Sequence, residues 1–369
     1  MMLSGGASLA RRTVLTSALA LAACGRGTGK ASADPGGKAR PKGPPPLLRD
    51  LAPFRIGAAI ISDQFERPGF QAAASTQFSQ ITPDFEMKME YILQKDGSFR
   101  FDGGDRVANF CKANNQALHG HNLIWYTDSP PAFQKLEGNR RAFDAAYARY
   151  IQTVAGRYAG QARGWDVVNE PVADDGVTLR ESMWTKNLGQ EGHFIRAYEE
   201  AHDADPDAIL FVNEYHLESK PQKRKTFLNL IETMLKRGVP IGGIGNQTHV
   251  DVDLPPGKIA EAMRDVASLG LPVHLSEFDC SFQTDGVTLR SKAERQASQL
   301  RLYREALESF VALPEKQQYA FTVWGVRDPD SWLRTATWVK DRTDTPLLFD
   351  DKGQPKETFW TLVDVLQGR

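Results

Sequence analysis

From Arg55 onward, short apolar runs alternate with longer stretches in which apolar side chains recur every three or four residues. Continuous apolar runs of that length are the mark of strands buried on both faces, and the three-to-four spacing is the mark of amphipathic helices. The runs predict strands over residues 55–60, 77–81, 117–123, 163–169, 209–213, 243–248, 272–277 and 319–323. Between them, helical spacing covers residues 104–113, 140–158, 190–204, 221–237, 256–269 and 289–310, and a last helix over 355–366 closes the chain. Eight strand units alternating with helices over roughly 310 residues predict a single-domain α/β fold, a closed (β/α)8 TIM barrel. A doubly wound open sheet is the competing architecture. No Gly-x-Gly-x-x-Gly turn follows the first strand and no Walker phosphate loop occurs, which weakens that alternative.

In a barrel of this kind the functional groups gather at the carboxyl ends of the strands. Lys88 falls shortly after the second strand, His121 and Trp125 at the third, Asn169 and Glu170 at the fourth and Asn213 at the fifth. Gln247 and His249 fall at the sixth, Glu277 at the seventh and Trp324 at the eighth. Two of these are glutamates that end apolar runs, Glu170 in Gly164-Trp-Asp-Val-Val-Asn-Glu-Pro171 and Glu277 in Leu271-Pro-Val-His-Leu-Ser-Glu-Phe-Asp279. A charge in that position is costly unless it is paired or used, and two carboxylates at neighbouring strand ends are the equipment of glycoside hydrolysis. One carboxyl must then carry a proton while the other is an anion.

The 369 residues, 41% hydrophobic and 25% charged, belong to the ordinary globular class and suffice for a large core. The net charge of -1 conceals an asymmetry: residues 1–46 hold seven Lys/Arg and one acid, so the remainder is distinctly acidic. That balance excludes a general nucleic-acid binder and suits a neutral substrate. Arg11-Arg12, the apolar stretch 14–23 and Leu21-Ala-Ala-Cys24 read as an export signal over residues 1–24, Tat-like and with a lipobox that would place a lipid anchor on Cys24. A plain signal peptide that happens to contain a cysteine is the other reading. Residues 25–46, rich in Gly, Pro and Lys, are expected to be a disordered tether, and residues 47–369 the catalytic barrel. An exported monomer follows, periplasmic, membrane-anchored or extracellular. Cys111 and Cys280 are expected to be buried thiols rather than a disulfide. No Cys/His cluster has zinc-ligand spacing, so no metal or cofactor is expected.

Six blocks carry a family resemblance: Gly120-His-Asn-Leu-Ile-Trp125, Trp165-Asp-Val-Val-Asn-Glu170, Gly245-Asn-Gln-Thr-His249, Ser276-Glu-Phe-Asp279, Val323-Trp-Gly-Val-Arg-Asp328 with Ser331-Trp332, and Pro346-Leu-Leu-Phe-Asp350. In this order they resemble glycoside hydrolase family 10, the endo-β-1,4-xylanase family, across residues 50–366. The resemblance implies a retaining barrel enzyme that cleaves xylan or xylo-oligosaccharides, with Glu170 as acid/base and Glu277 as nucleophile. It implies that His249 hydrogen-bonds the nucleophile and that Asn169 contacts the 2-hydroxyl of the sugar under attack. Lys88, His121, Trp125 and Trp324 match residues lining the sugar next to the scissile bond, Trp332 matches a tryptophan over the cleft, and Gln247 and Asp84 are expected to bind substrate as well. Retention requires carboxyls about 5–5.5 Å apart.

The chain also departs from the family. Thr82-Pro-Asp-Phe-Glu-Met-Lys-Met89 stands where Thr-x-Glu-Asn-x-x-Lys-Trp is usual, so Asp84-Phe85 replaces the pair that grips the second sugar. Tyr126 and Asp128 replace a usual His and Gln. These changes keep open an enzyme of the same mechanism acting on another decorated β-glycoside, and a carbohydrate-binding surface lipoprotein without turnover.

Overall fold

Nine strands of the computed structural model form one parallel sheet: β1 Arg55–Ile60, β2 Gln80–Pro83, β3 Ala117–Trp125, β4 Ala162–Asn169, β5 Ile209–Glu214, β6 Gly243–Asn246, β7 His249–Asp251, β8 Val273–Ser281 and β9 Gln318–Val323. The structure describes residue 40 and residues 43–283, 290–336 and 342–369. The expected signal segment, Cys24 and nearly all of the expected tether lie outside the described residues. The barrel belongs to the unit Pro45–Arg369.

The strand order is β6-β5-β4-β3-β2-β1-β9-β8, and pairing of β6 with β8 closes it. The short β7 pairs with β8 and continues the line of β6 after a break at Gln247-Thr248, so the nine strands make eight staves. The strand expected to run through residue 248 therefore stops at Asn246. Thr248 sits at φ 59, a left-handed conformation that cannot continue a pleated strand.

Eight helices of eight residues or more, among the described residues, follow the staves in turn: α1 Phe70–Gln77, α2 Asp102–Ala113, α3 Arg140–Arg157, α4 Gly192–Ala204, α5 Pro221–Lys236, α6 Lys258–Ala267, α7 Lys292–Val311 and α8 Glu357–Leu366. The spacing pattern missed α1. Its sequence is mostly small residues, so its buried face rests on Phe70, Ala74 and Gln77 and leaves almost no apolar stripe to read. Missing it also misplaced the second strand, because Gln77 ends α1, where its side chain accepts from Leu48 N–H at 3.1 Å, and β2 begins three residues later. α7 starts at a capping box in which Ser291 and Glu294 satisfy each other's backbone N–H groups.

Between the barrel and its helices, small residues on one strand make room for large ones on the next. A Cβ on Gly120 of β3 would lie 2.2 Å from the ring of Trp165, its neighbour in register on β4. Cys111 and Cys280 are free and buried, as expected. Burial pushes the Cys111 thiol up to about 12.

Candidate active site

Val167 and Val168 carry the apolar run of β4 to its end, and the chain then turns: Glu170 adopts φ 58, and its N–H donates to Asn213 O at 2.8 Å. The turn leaves Glu170 only 8% exposed, where its carboxyl must find partners. Three side chains donate to it. Trp125 Nε1 reaches Oε2 at 2.8 Å, and Gln247 Nε2 and Asn169 Nδ2 reach Oε1 at 3.0 and 3.2 Å.

Glu277, 4% exposed, lies within β8 rather than at its end, since β8 runs on to Ser281. Its Oε1 accepts from Asn213 Nδ2 at 2.6 Å, and its Oε2 lies 3.3 Å from His249 Nε2. Asn213 joins the two halves, because the same Nδ2 also donates to Asn169 Oδ1 at 2.8 Å while Ser276 Oγ donates to Asn213 Oδ1 at 2.7 Å. A continuous chain of side-chain hydrogen bonds thus runs from Glu170 through Asn169 and Asn213 to Glu277.

His249 sits between two carboxylates. Its Nδ1 is 3.0 Å from Asp279 Oδ1, an ion-pair contact rather than an aligned hydrogen bond, and Asp279 Oδ2 accepts from Trp332 Nε1 at 2.7 Å. Burial by itself would lower the imidazole, but the charges of Asp279 and Glu277 prevail and raise it to about 10. His249 is therefore an imidazolium at neutral pH. Glu277 shows the reciprocal effect: burial pushes it up, yet His121 and His249 outweigh that and hold it below the ordinary carboxylate value.

The aromatic and basic residues complete the walls. His121 Nδ1 lies 2.8 Å from Asp166 Oδ2, and its ring meets Trp324 edge-on with centroids 5.1 Å apart. The His249 ring has Trp324 at 6.1 Å and Trp332 at 5.3 Å. Lys88 Nζ stands 5.3 Å over the Trp125 ring and 3.4 Å from Asp84. Each of the eleven residues singled out in the sequence thus touches another member of the set or Asn213. A cavity of about 440 Å³ beside His249 is lined by His216, Asp251, Leu254, Asp279 and Trp332 among others.

Sequence reasoning placed Asn213 at a strand end but gave it no part, and it left out Asp279 and Ser276. Period-2 geometry could have found Asp279, which is two residues past Glu277 on the same strand and so faces the same side. The replaced residues behave unequally. Phe85 is 37% exposed and packs edge-on against Tyr91 at 5.4 Å, so an aromatic edge stands where an amide is usual. Asp128 is buried, accepts from Trp125 N–H at 3.2 Å, and is pushed up to about 7 by that burial. It braces a loop.

On the other flank, Arg180 fastens the segment after β4. It donates to Glu170 O at 3.2 Å and to Tyr215 Oη at 2.6 Å, pairs with Asp174 at 3.1 Å, and lies 4.0 Å over the Tyr126 ring. Beneath it Lys223 and Glu214, both fully buried, form an ion pair at 2.8 Å.

The sequence matches the model of glycosyl hydrolase family 10 over residues 49–365. The chain is 34% identical over 336 residues to an endo-1,4-beta-xylanase of Geobacillus stearothermophilus, covering 87% of this chain and 98% of that one. With endo-1,4-beta-xylanase A of Cellvibrio japonicus it shares 32% identity over 354 residues, 87% of this chain but 57% of that longer protein. Among solved structures, a thermostable mutant of the xylanase Xyn10A from Cellvibrio japonicus superposes with a TM-score of 0.79 at 32% identity, covering 87% of this chain and all of that one. Xylanase XynB from Paenibacillus barcinonensis gives 0.77 at 30% identity, covering 86% and 98%. The closed barrel is the fold these relatives have, and the match runs through every stave: the chain is a glycoside hydrolase and belongs to glycosyl hydrolase family 10.

Proposed function

We propose that this chain is a retaining endo-β-1,4-xylanase acting on xylan or xylo-oligosaccharides, with Glu277 as nucleophile and Glu170 as acid/base. The observation that carries the reading is the buried relay Asp279–His249–Glu277. His121 and the His249 imidazolium, raised to about 10, together favour the anion of Glu277, which is the state a nucleophile needs. In the first step Glu277 attacks the anomeric carbon as the glycosidic C–O bond breaks, and Glu170 gives its proton to the departing oxygen. In the second step Glu170 takes a proton from water, the water oxygen bonds to the anomeric carbon, and the ester to Glu277 breaks. Two inversions give retention.

The supporting roles follow from the same contacts. Asn169, held by Asn213, is turned toward the 2-hydroxyl; Gln247 and Trp125 orient Glu170; His121, Lys88, Trp324 and Trp332 wall the first sugar. Product analysis by proton NMR early in xylo-oligosaccharide hydrolysis tests the reading: the β-anomer should appear first, and an initial α-anomer would refute retention. Glu277→Ala should lose turnover on every substrate, with azide restoring some cleavage of activated xylosides as the inverted product. Near wild-type activity in that folded variant would remove Glu277 from the role.

A second reading keeps the mechanism and alters the glycone. Asp84 is engaged with Lys88 and Phe85 offers a ring edge, so the second sugar meets an apolar surface in place of an amide. On that reading a decorated β-glycoside outcompetes plain xylobiosides in an oligosaccharide panel. We also propose export with acylation at Cys24, on the strength of Leu21-Ala-Ala-Cys24.

A further inference from the structure

One layer deeper in the barrel than the two glutamates, three side chains that touch no proposed reacting atom converge: His119 on β3, Asp166 on β4 and His274 on β8. All are buried, at 0%, 1% and 0% exposure. Each offers one metal-ligating atom, and these atoms lie within 4.8 Å of one another.

The outer atom of each group is committed. His119 Nδ1 is 3.1 Å from Tyr319 Oη, His274 Nε2 is 2.7 Å from Thr322 Oγ1, and Asp166 Oδ2 is 2.8 Å from His121 Nδ1. The inner atoms, His119 Nε2, His274 Nδ1 and Asp166 Oδ1, are buried without a hydrogen-bond partner. His119 Nε2 and Asp166 Oδ1 stand 3.2 Å apart but off hydrogen-bond alignment.

With the His119 Nδ1 and His274 Nε2 protons turned toward Tyr319 Oη and Thr322 Oγ1, and the Gln80 amide, whose Nε2 is placed 3.4 Å from His274 Nε2, turned so that its unpartnered Oε1 faces that proton, three lone pairs face one another in the interior. That arrangement repels itself unless a cation sits between them. A proton shared by His119 and Asp166 would satisfy two of the atoms and leave His274 Nδ1 unpaired. One metal ion satisfies all three, and each ligand already has the outer hydrogen bond that sets ring tautomer and orientation in metal sites.

We propose that His119 Nε2, His274 Nδ1 and Asp166 Oδ1 bind a borderline divalent transition ion of the zinc class inside the barrel. Two imidazoles and one carboxylate suit that class and not calcium or magnesium, which take oxygen ligands. Zinc bonds of about 2.0–2.2 Å in tetrahedral geometry put ligand atoms about 3.4 Å apart, so the His119–Asp166 pair already has the spacing and His274 is the ligand that closes in. The ion ties β3, β4 and β8 across the barrel and fixes the carboxylate that holds His121. Its ligands are 47 and 108 residues apart along the chain, which is why no local spacing announced them.

The test uses the untagged chain from zinc-supplemented cells, treated with a chelator, desalted and analysed by plasma mass spectrometry for all first-row metals. About one zinc-class ion per chain is expected in the wild type, and about a tenth of that or less in His274→Leu and in His119→Gln. Cobalt grown into the wild type should show visible d–d bands that both variants lack. Wild-type protein with about a tenth of an ion or less, or equal metal content in wild type and folded variants, overturns the inference. If neither variant folds, wild-type stoichiometry together with the cobalt bands decides it, and a featureless cobalt spectrum counts against the site.

Discussion

Asp279 touches no proposed reacting atom, yet it acts on the charge state of Glu277 through His249, beside the direct effect of His121. It is the first cause of the upward shift of His249, and the imidazolium in turn favours the anion of Glu277. In the wild type the acidic limb of kcat/KM should therefore lie below the ordinary glutamate value of 4.5. Asp279→Asn leaves the amide to hold Trp332 and His249 but removes the charge. Losing a hydrogen-bonded charge is worth about 1.5–3 kcal/mol, so kcat/KM should fall about 10- to 100-fold and its acidic limb should move to higher pH. A pH–rate profile on an aryl β-xylobioside measures both, and a limb that does not move contradicts the relay. Glu170 is separable by leaving group. In Glu170→Ala, glycosylation by dinitrophenyl xylosides should change little, whereas unactivated xylo-oligosaccharides should slow by about 10²–10⁴-fold, the usual worth of positioned proton donation. Equal losses on both, in single-turnover measurements, would mean that Glu170 is not the acid.

At the scale of the element, the loop between β4 and α4 is held from below by the first turn of α5. Lys223 is fully buried there, 2.8 Å from Glu214 Oε1 at the end of β5 and 3.3 Å over the Tyr215 ring. Glu214 also accepts from Val172 N–H at 2.9 Å and from Tyr215 N–H at 3.0 Å, so one carboxyl pins the segment just past the acid/base candidate to the end of β5. Breaking a buried pair by removing one partner typically costs about 3–5 kcal/mol, because the other charge is left behind. Lys223→Met should lower stability by that order. Burial already pushes Glu214 up to about 7, so without its lysine the carboxyl takes up a proton on acidification. The loss, read from urea midpoints at unchanged slope, should therefore be larger at pH 8 than at pH 6. A loss independent of pH would place the cost in packing rather than charge.

At the scale of the whole molecule, two shifted groups of the site give stability a pH-dependent share. His249 is raised from 6.5 to about 10 on folding, so its contribution is complete below 6.5 and is lost as pH climbs through about 10. Glu277 is depressed from 4.5, so its contribution is complete above 4.5 and is lost as pH falls through the lower folded value. Both contributions are fully present between about 4.5 and 6.5. The alkaline decline should be shallower in Asp279→Asn, since that variant has less of the His249 contribution to lose. Melting curves from pH 4 to pH 10 on the two proteins check the slope, and parallel curves would refute it.

The sequence by itself determined the barrel and the two glutamates, because both are written in local patterns. An apolar run followed by a helical repeat is legible wherever it recurs, and a polar residue that ends such a run declares itself at the open face. The run Trp165-Asp-Val-Val-Asn-Glu170 even carried the family. Where the local pattern was thin, as in the alanine-rich α1, the reading slipped and took β2 with it. What only the tertiary structure decided is which side chains share one proton or one charge. Asn213 and Glu277 lie 64 residues apart, Lys223 reaches back to a strand end, and the left-handed turn at Thr248 frees His249 to pair with Asp279. His119, Asp166 and His274 come from three separate staves. Such partnerships are set by closure of the barrel, which brings distant strand positions to hydrogen-bond distance, and a strongly distance-dependent interaction leaves no period along the chain to read.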